Sequence, residues 1–163
     1  MTEVRHVRAQ PLTADAFAPF GQVLAREPDA AVIGSRDGEE LALNILTYAY
    51  RDLRVDHLNA HHRATQALFP LGRSTVLVVA PAGPITAVSD LDAVRAFIVD
   101  GTAGVNLDYG TWHWGPYPIS DEVNLVNLQG KGFADDNEVT HLEADFGLIF
   151  QVVLDKVRKK EHS

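Results

Sequence analysis

The chain has 163 residues, of which 46% are hydrophobic and 22% are charged, with a formal net charge of −8 and no cysteine. These values are typical of one globular domain, and the negative charge argues against nucleic acid or an anionic membrane as a partner. The missing cysteines exclude disulfides, thiolate metal sites and cysteine nucleophiles. Because we find no apolar leader and no apolar run of membrane-spanning length, we expect a cytoplasmic protein.

Two short helices are predicted along the chain. The first covers 12–21, with Thr13 as its N-cap and Gly21 past its end. The second covers 89–97, where Ser89 as N-cap and an aspartate three residues later form an acidic variant of the capping box.

The other predicted elements are strands, because they are short and rich in β-branched or aromatic residues. The run within 74–80 does not alternate between apolar and polar residues, so we expect this strand to be covered on both faces. Turn signals at intervals of about ten residues indicate an antiparallel barrel or sandwich. We expect a single, mainly β domain over 1–163 with a few short helices and a polar, frayed tail at about 156–163. The predicted strands are 41–50, 74–80, 95–99, 122–128 and 146–154.

Most of the histidines with possible chemical roles lie in segment 55–72. Small β-barrels of the cupin type place ligands on two adjacent hairpins, with inward side chains at alternate positions. Their first pattern is His-x-His, three or four residues, Glu, six residues and Gly. The residues that fall nearly on those positions here are Asn59, His61, Gln66 and Gly72.

The second cupin pattern, Pro-x-Gly-x-x-His, is matched by Gly110 and His113, with Asp108 in the proline position. Amides replace the remaining ligands, and neutral amide oxygens are poor ligands for transition metals. We therefore expect His61, Gln66 and His113 to form at most a weak site for a divalent cation (Ni, Zn or Mn). In the alternative interpretation the two histidines are hydrogen-bonding groups that bind an anion without metal.

Both tryptophans of the chain flank His113 in the stretch LDYGTWHWGPYP, 107–118. We interpret this stretch as a strand at the mouth of the barrel. Since side chains alternate along a strand, His113 would face the cavity while Trp112 and Trp114 face the other way.

Several longer stretches resemble one known family. They are FAPFGQVL (17–24), HHRATQALFPLG (61–72), VLVVAPAG (76–83) and LDAVRAFIVDGTAGVNLDYGTWHWGPYP (91–118). In order and spacing they are similar to motifs of the ureidoglycolate lyase family, formerly called ureidoglycolate hydrolase. The resemblance implies a cupin-like fold of the double-stranded β-helix type.

The resemblance also implies a reaction, the cleavage of (S)-ureidoglycolate to glyoxylate and urea in allantoin degradation. By position it assigns His61, Gln66 and His113 to the site. It implies a framework of three further residues, Asn106, Gly110 and Trp112. Lys131 matches a basic residue of a family loop and becomes a candidate partner for the substrate carboxylate.

This elimination needs a base, a hydrogen bond to the ureido group and a partner for the carboxylate. We expect His113 or Asp108 as the base, and Gln66 with Asn106 at the ureido group.

We expect His61 or Lys131 at the carboxylate, and Tyr109 as a further substrate-binding residue that shapes the pocket together with Trp114. Two alternatives stay open: a divergent cupin enzyme acting on another small hydroxy or keto acid, and a non-catalytic barrel that binds small acids. In each case the partner is a small carboxylate, and we expect a homodimer.

Overall fold

The computed structural model describes residues 1–25 and 30–155, so the predicted tail at 156–163 lies outside the described residues. The helices are α1 (Ala14–Phe17) and α2 (Leu142–Phe146), together with a 3-10 helix at Val88–Ala93. The strands are β1 (Glu3–Pro11), β2 (Gly21–Leu24), β3 (Leu41–Ala49), β4 (Arg54–Val55), β5 (His57–Ala60), β6 (Gln66–Pro70), β7 (Thr75–Ala80), β8 (Arg95–Val99), β9 (Gly104–Leu107), β10 (Trp112–Pro118), β11 (Glu122–Gly130), β12 (Glu138–His141) and β13 (Leu148–Val153).

The strands form two sheets that curl into a half-barrel. One has the order β12-β5-β10-β7-β8-β1-β13-β4, and the other has the order β2-β9-β6-β11-β3. The predicted mainly β fold with a few short helices is confirmed. One strand departs from the expected antiparallel pairing, because β1 pairs in parallel with both β13 and β8.

Strand β7 is buried on both faces, as its unbroken apolar run predicts. Leu77 and Val79 belong to an inner core, which lies between the two sheets and includes Phe97. Val76 and Val78 belong to an outer core on the opposite face of the eight-stranded sheet. The strand therefore separates the two apolar cores of the protein.

The register of β10 on β7 gives its two faces different surroundings. His113 pairs with Val79, whereas Trp112 pairs with Ala80 and Trp114 with Val78. The two tryptophans accordingly pack against the outer core, and Trp112 is buried there with its indole N–H donated to the carbonyl oxygen of Gly83 at 2.7 Å. The predicted division of β10 into a histidine face and a tryptophan face is confirmed for Trp112. Trp114 is partly buried against the outer core and also lines the cavity that contains His113.

The first predicted helix is much shorter than expected. Thr13 is its N-cap, as predicted, and accepts a hydrogen bond from the backbone N–H of Ala16. The helix ends before Pro19, because proline has no N–H to continue the hydrogen-bond ladder. Gly21 begins β2 instead of following the helix.

The second predicted helix, 89–97, is wrong in its length, type and cap. Only Val88–Ala93 is helical, with 3-10 geometry, and the next residues form β8. The capping side chain is Asp90 and not Ser89, since its Oδ2 accepts from the backbone N–H groups of Thr86 and Ala87. Pairing of β8 with β1 and β7 overrides the local helical signal.

Candidate active site

A cavity of about 480 Å³ opens between the two sheets, beside the inner core. Strands β3, β5, β6, β10 and β11 line it, and the loop between β11 and β12 lies over it. Its polar lining consists of Tyr48, Asn59, His61, Gln66, His113, Gln129 and Asn137.

Strand pairing brings the two predicted histidines into this cavity. His113 on β10 pairs directly with Asn59 on β5, so these side chains share a face. His61 lies two residues after Asn59, just past the end of β5. The ring centroids of His61 and His113 are 5.2 Å apart. The geometric prediction that both histidines point into one cavity is confirmed.

Backbone carbonyls orient both imidazoles in the same way. Nδ1 of His61 lies 2.8 Å from the carbonyl oxygen of Asp136, and Nδ1 of His113 lies 3.0 Å from that of Thr111. Since a carbonyl only accepts hydrogen bonds, Nδ1 of each ring carries a proton, and Nε2 keeps its lone pair whenever the ring is neutral. Burial, together with the neighbouring His61, lowers the pKa of His113 to about 4, so this side chain is neutral at physiological pH.

Gln66 is held by two further amides. Its Nε2 donates to Oδ1 of Asn127 at 2.9 Å and to Oε1 of Gln129 at 3.1 Å. Its Oε1 is buried and, within the described part of the chain, has no hydrogen-bond partner. Oδ1 of Asn59 is also buried and also lacks a hydrogen-bond partner among the described residues. Two residues of the cavity lining, Asn59 and Gln66, thus each have a buried amide oxygen without a hydrogen-bond partner.

The loop over the cavity is tied to the histidine segment. Oδ2 of Asp136 accepts from the backbone N–H groups of His62 and Arg63 at 2.9 and 2.7 Å, respectively. The ring of Phe133 lies 6.4 Å from the ring of His61, edge to face. These contacts hold the β11–β12 loop as one wall of the cavity.

Gly110 joins the two motif segments. Its backbone N–H donates to the carbonyl oxygen of His61 at 2.7 Å, and its φ of +74° is unfavourable for other residues. A Cβ at this position would also lie 3.2 Å from Nδ1 of His62. The implied framework role of Gly110 therefore has a physical basis.

Three of the expected site residues lie elsewhere. Asn106 on β9 pairs with Ala67 and Gln22, and its Nδ2 donates to the carbonyl oxygen of Val32 at 3.1 Å. Asn106 is on one face of β9, whereas Val105 and Leu107 on the opposite face belong to the inner core. Asp108 and Tyr109 line a separate cleft of about 840 Å³. The structure does not bring them to the histidine cavity. Asn106 alternates with Leu107 and so faces away from the inner core, and Asp108 and Tyr109 lie beyond the end of β9.

Lys131 also lies outside the cavity. Its Nζ is 2.8 Å from Oε2 of Glu40, and both side chains are exposed. Sequence reasoning missed several lining residues, namely Tyr48, Phe133, Gln129 and Asn137. The alternation along β3 could have indicated Tyr48, whereas the loop residues carry no periodic signal.

The donor set is a poor fit for a tightly held metal ion. Within residues 1–25 and 30–155, no group of three or more His, Cys, Asp or Glu side chains could hold a metal ion. The two Nε2 atoms and the amide oxygens are neutral, so they do not offset the desolvation of a divalent cation. The cavity is better suited to a small polar organic molecule.

Residues 36–148 match the family model described as ureidoglycolate lyase. The chain belongs to the ureidoglycolate lyase family. The matched residues include both histidine segments and the β11–β12 loop, and therefore the entire cavity lining.

Relatives named ureidoglycolate lyase match across most of the chain. The one from Pseudomonas fluorescens (strain Pf0-1) is 32% identical over 150 residues, covering 79% of this chain and 88% of that protein. The one from Pseudomonas paraeruginosa (strain DSM 24068 / PA7) is 31% identical, covering 79% and 87%. Among solved structures, oxalate decarboxylase from Bacillus subtilis at pH 4.6 is 16% identical with a TM-score of 0.41, covering 82% of this chain and 30% of that chain. Within the described part of this ureidoglycolate lyase family member, no helix is long and apolar enough to cross a membrane.

Proposed function

We propose that this chain is a ureidoglycolate lyase that cleaves (S)-ureidoglycolate to glyoxylate and urea. Family membership supports the activity. The observation that carries the proposal is the pair of imidazoles, His61 and His113, with free Nε2 atoms beside the unpartnered amide oxygen of Gln66. The cavity of about 480 Å³ accommodates a small polar substrate of this kind.

The reaction is an elimination from a carbinolamine carbon. A base takes the hydroxyl proton, the hydroxyl oxygen forms the aldehyde C=O, the C–N bond breaks, and the urea nitrogen receives a proton. Of the two expected bases, His113 lies in the cavity and Asp108 does not. We assign the base to Nε2 of His113, which is unprotonated at neutral pH.

The other parts of the substrate have separate partners in this proposal. Oε1 of Gln66 accepts a hydrogen bond from the ureido group. Nε2 of His61, when it carries a proton, donates to the carboxylate, since Lys131 is engaged with Glu40 outside the cavity. Neither Asn106 nor Tyr109 reaches the substrate in this arrangement.

In this proposal a divalent cation (Ni, Zn or Mn) would bind at most weakly at His61, Gln66 and His113, since their donor atoms fit a metal ion poorly. The proton transfers described above use the side chains of the protein alone.

We also propose that the protein works in the cytoplasm, in allantoin degradation, as a homodimer. The acidic, cysteine-free composition supports the compartment. The edge strand β3, on which Leu43 and Ile45 are exposed, supports the dimer.

Release of glyoxylate from (S)-ureidoglycolate, with and without added divalent metal, tests the function. We expect turnover by the wild type, a loss of at least about 100-fold in kcat for His113→Ala, and an unchanged rate for Asp108→Asn as the matched control. No glyoxylate from the folded wild type would contradict the proposal. A thermal-shift screen of other hydroxy and keto acids would then identify a different small-acid substrate or ligand.

A further inference from the structure

We propose that Asn127 and Gln129 are positioning residues for Gln66. They fix its Oε1 as the atom that accepts a hydrogen bond from an N–H of the ureido group. This oxygen thereby selects a ureido substrate over a plain hydroxy acid. This inference rests on the proposed function and adds residues outside the expected site. Asn127 does not line the cavity, and it is fully buried.

Four amide side chains form a hydrogen-bonded ladder across three strands. They are Gln66 on β6, Asn127 and Gln129 on β11, and Asn44 on β3. Asn127 on β11 pairs with Asn44 on β3, and its Nδ2 donates to Oδ1 of Asn44 at 2.8 Å. This bond leaves Oδ1 of Asn127 to accept from Gln66. Each amide therefore donates to the next one, from Gln66 to Asn127 and from Asn127 to the exposed side chain of Asn44. We call this donor-to-acceptor direction the polarity of the ladder.

Gln129 completes the constraint. Its Oε1 accepts from the same Nε2 of Gln66. An amide nitrogen has two protons, and both are now used. The oxygen of Gln66 is therefore the free hydrogen-bonding atom of this buried side chain. Without the ladder, the amide could rotate by half a turn and present its nitrogen.

The chemistry of the substrate explains the value of a fixed oxygen. A ureido group has several N–H donors, whereas a carboxylate or an aldehyde has none. An amide oxygen accepts at every pH, while the Nε2 of an imidazole changes from acceptor to donor when it is protonated. Gln66 therefore binds the ureido end, and His61 is left for the carboxylate. A site built around a buried hydrogen-bonding group rejects analogues that lack the complementary group.

Steady-state kinetics on (S)-ureidoglycolate with variants of the ladder tests this role. Gln129→Met and Asn127→Leu should each raise KM about tenfold, the cost of one misdirected hydrogen bond, with kcat within about threefold. Asn127→Asp should keep KM within about threefold, because a carboxylate can only accept from Gln66 and therefore imposes the same polarity. Asn124→Leu is the matched control on β11, since Asn124 is on the outer face and bonds to Thr47; its KM should not change.

Product inhibition gives a second readout that a loss of stability would not move. Urea should inhibit the wild type, and Gln129→Met and Asn127→Leu should weaken that inhibition about tenfold, in step with KM. Tetramethylurea, which has no N–H, should not inhibit any of them. If Asn127→Leu does not fold, Gln129→Met carries both measurements.

Three results separate this inference from the function on which it rests. A folded wild type that releases no glyoxylate overturns the proposed function. Two other results, obtained while the wild type releases glyoxylate normally, overturn the role of the ladder alone. In the first, Asn127→Asp raises KM as much as Asn127→Leu does. In the second, Gln129→Met leaves KM unchanged.

Discussion

His113 is a buried imidazole with one hydrogen-bond partner in the described structure, the carbonyl oxygen of Thr111. In its neutral form this single bond satisfies Nδ1 and leaves Nε2 for the substrate. Its charged form would bury a cation near His61, and for this reason its pKa falls from 6.5 to about 4. The same burial that supplies an unprotonated base therefore makes the folded protein sensitive to acid.

The sign of this effect follows from the two pKa values. Between pH 6.5 and pH 4 the unfolded chain protonates His113 and the folded chain does not, so the free energy of unfolding decreases as the pH falls. From pH 7 to pH 4.5 this group should contribute a loss of about 2 to 3 kcal/mol. Urea denaturation at both pH values should measure this difference. Between pH 7 and pH 4.5 the free energy of unfolding of the wild type should fall by about 2 to 3 kcal/mol more than that of His113→Gln. An identical pH dependence in the two proteins would contradict it.

At the scale of single elements, β3 stands out as an apolar edge strand. Its inward residues include Leu46 and Tyr48 of the cavity wall. Its outward residues include Leu43 and Ile45, which are 69% and 56% exposed. Among the described strands, β3 pairs with β11 alone and ends the five-stranded sheet. An exposed aliphatic edge of this kind promotes association, and pairing two copies of β3 across a two-fold axis would cover it.

A charge on this face should prevent the dimer. We expect sedimentation of the wild type to give a dimer at micromolar concentration, and Ile45→Lys to give a folded monomer. Antiparallel pairing of two copies about the middle of β3 would place the two lysines, and their like charges, directly opposite each other. Val4→Lys is the control, since Val4 is also an exposed strand residue but lies on β1 of the other sheet, where it pairs with Ile149 of β13. A wild type that sediments as a monomer at every concentration would rule out the dimer.

For the molecule as a whole, stability comes from the two apolar cores on either side of β7. The cavity lies at the edge of the inner core and is lined by neutral groups. We therefore expect the strands to stay folded without a bound cation. This is a property of the whole fold and not of the histidine site.

Removal of metal should accordingly leave the folded state intact. After dialysis against a chelator, we expect the melting temperature to change by less than about 10 °C and the far-ultraviolet circular dichroism to stay the same. The apoprotein and the same sample reloaded with zinc should melt alike. A larger fall that zinc restores would show a tight structural site, in conflict with the neutral donor set.

Patterns that depend only on neighbours along the chain were sufficient for much of the fold. The apolar run at β7 predicts a strand covered on both faces, and alternation around His113 predicts the two faces of β10; the structure has both. The spacing from His61 to Gln66, and from Gly110 to His113, also brings the three cavity residues together. These inferences hold because strand period and hairpin geometry are local properties.

The features that depend on which strands are neighbours were decided by the tertiary structure. Segment 89–97 has a helical signal, yet its second half pairs between β1 and β7. The charged β1 shows no strand pattern, and only its parallel partners place it. Asn106 and Asp108 are close to the site along the chain but face away, since the register of β9 on β6 sets their direction. The ladder through Asn127 needs three strands from distant segments, so it arises only when packing brings their side chains within hydrogen-bonding distance.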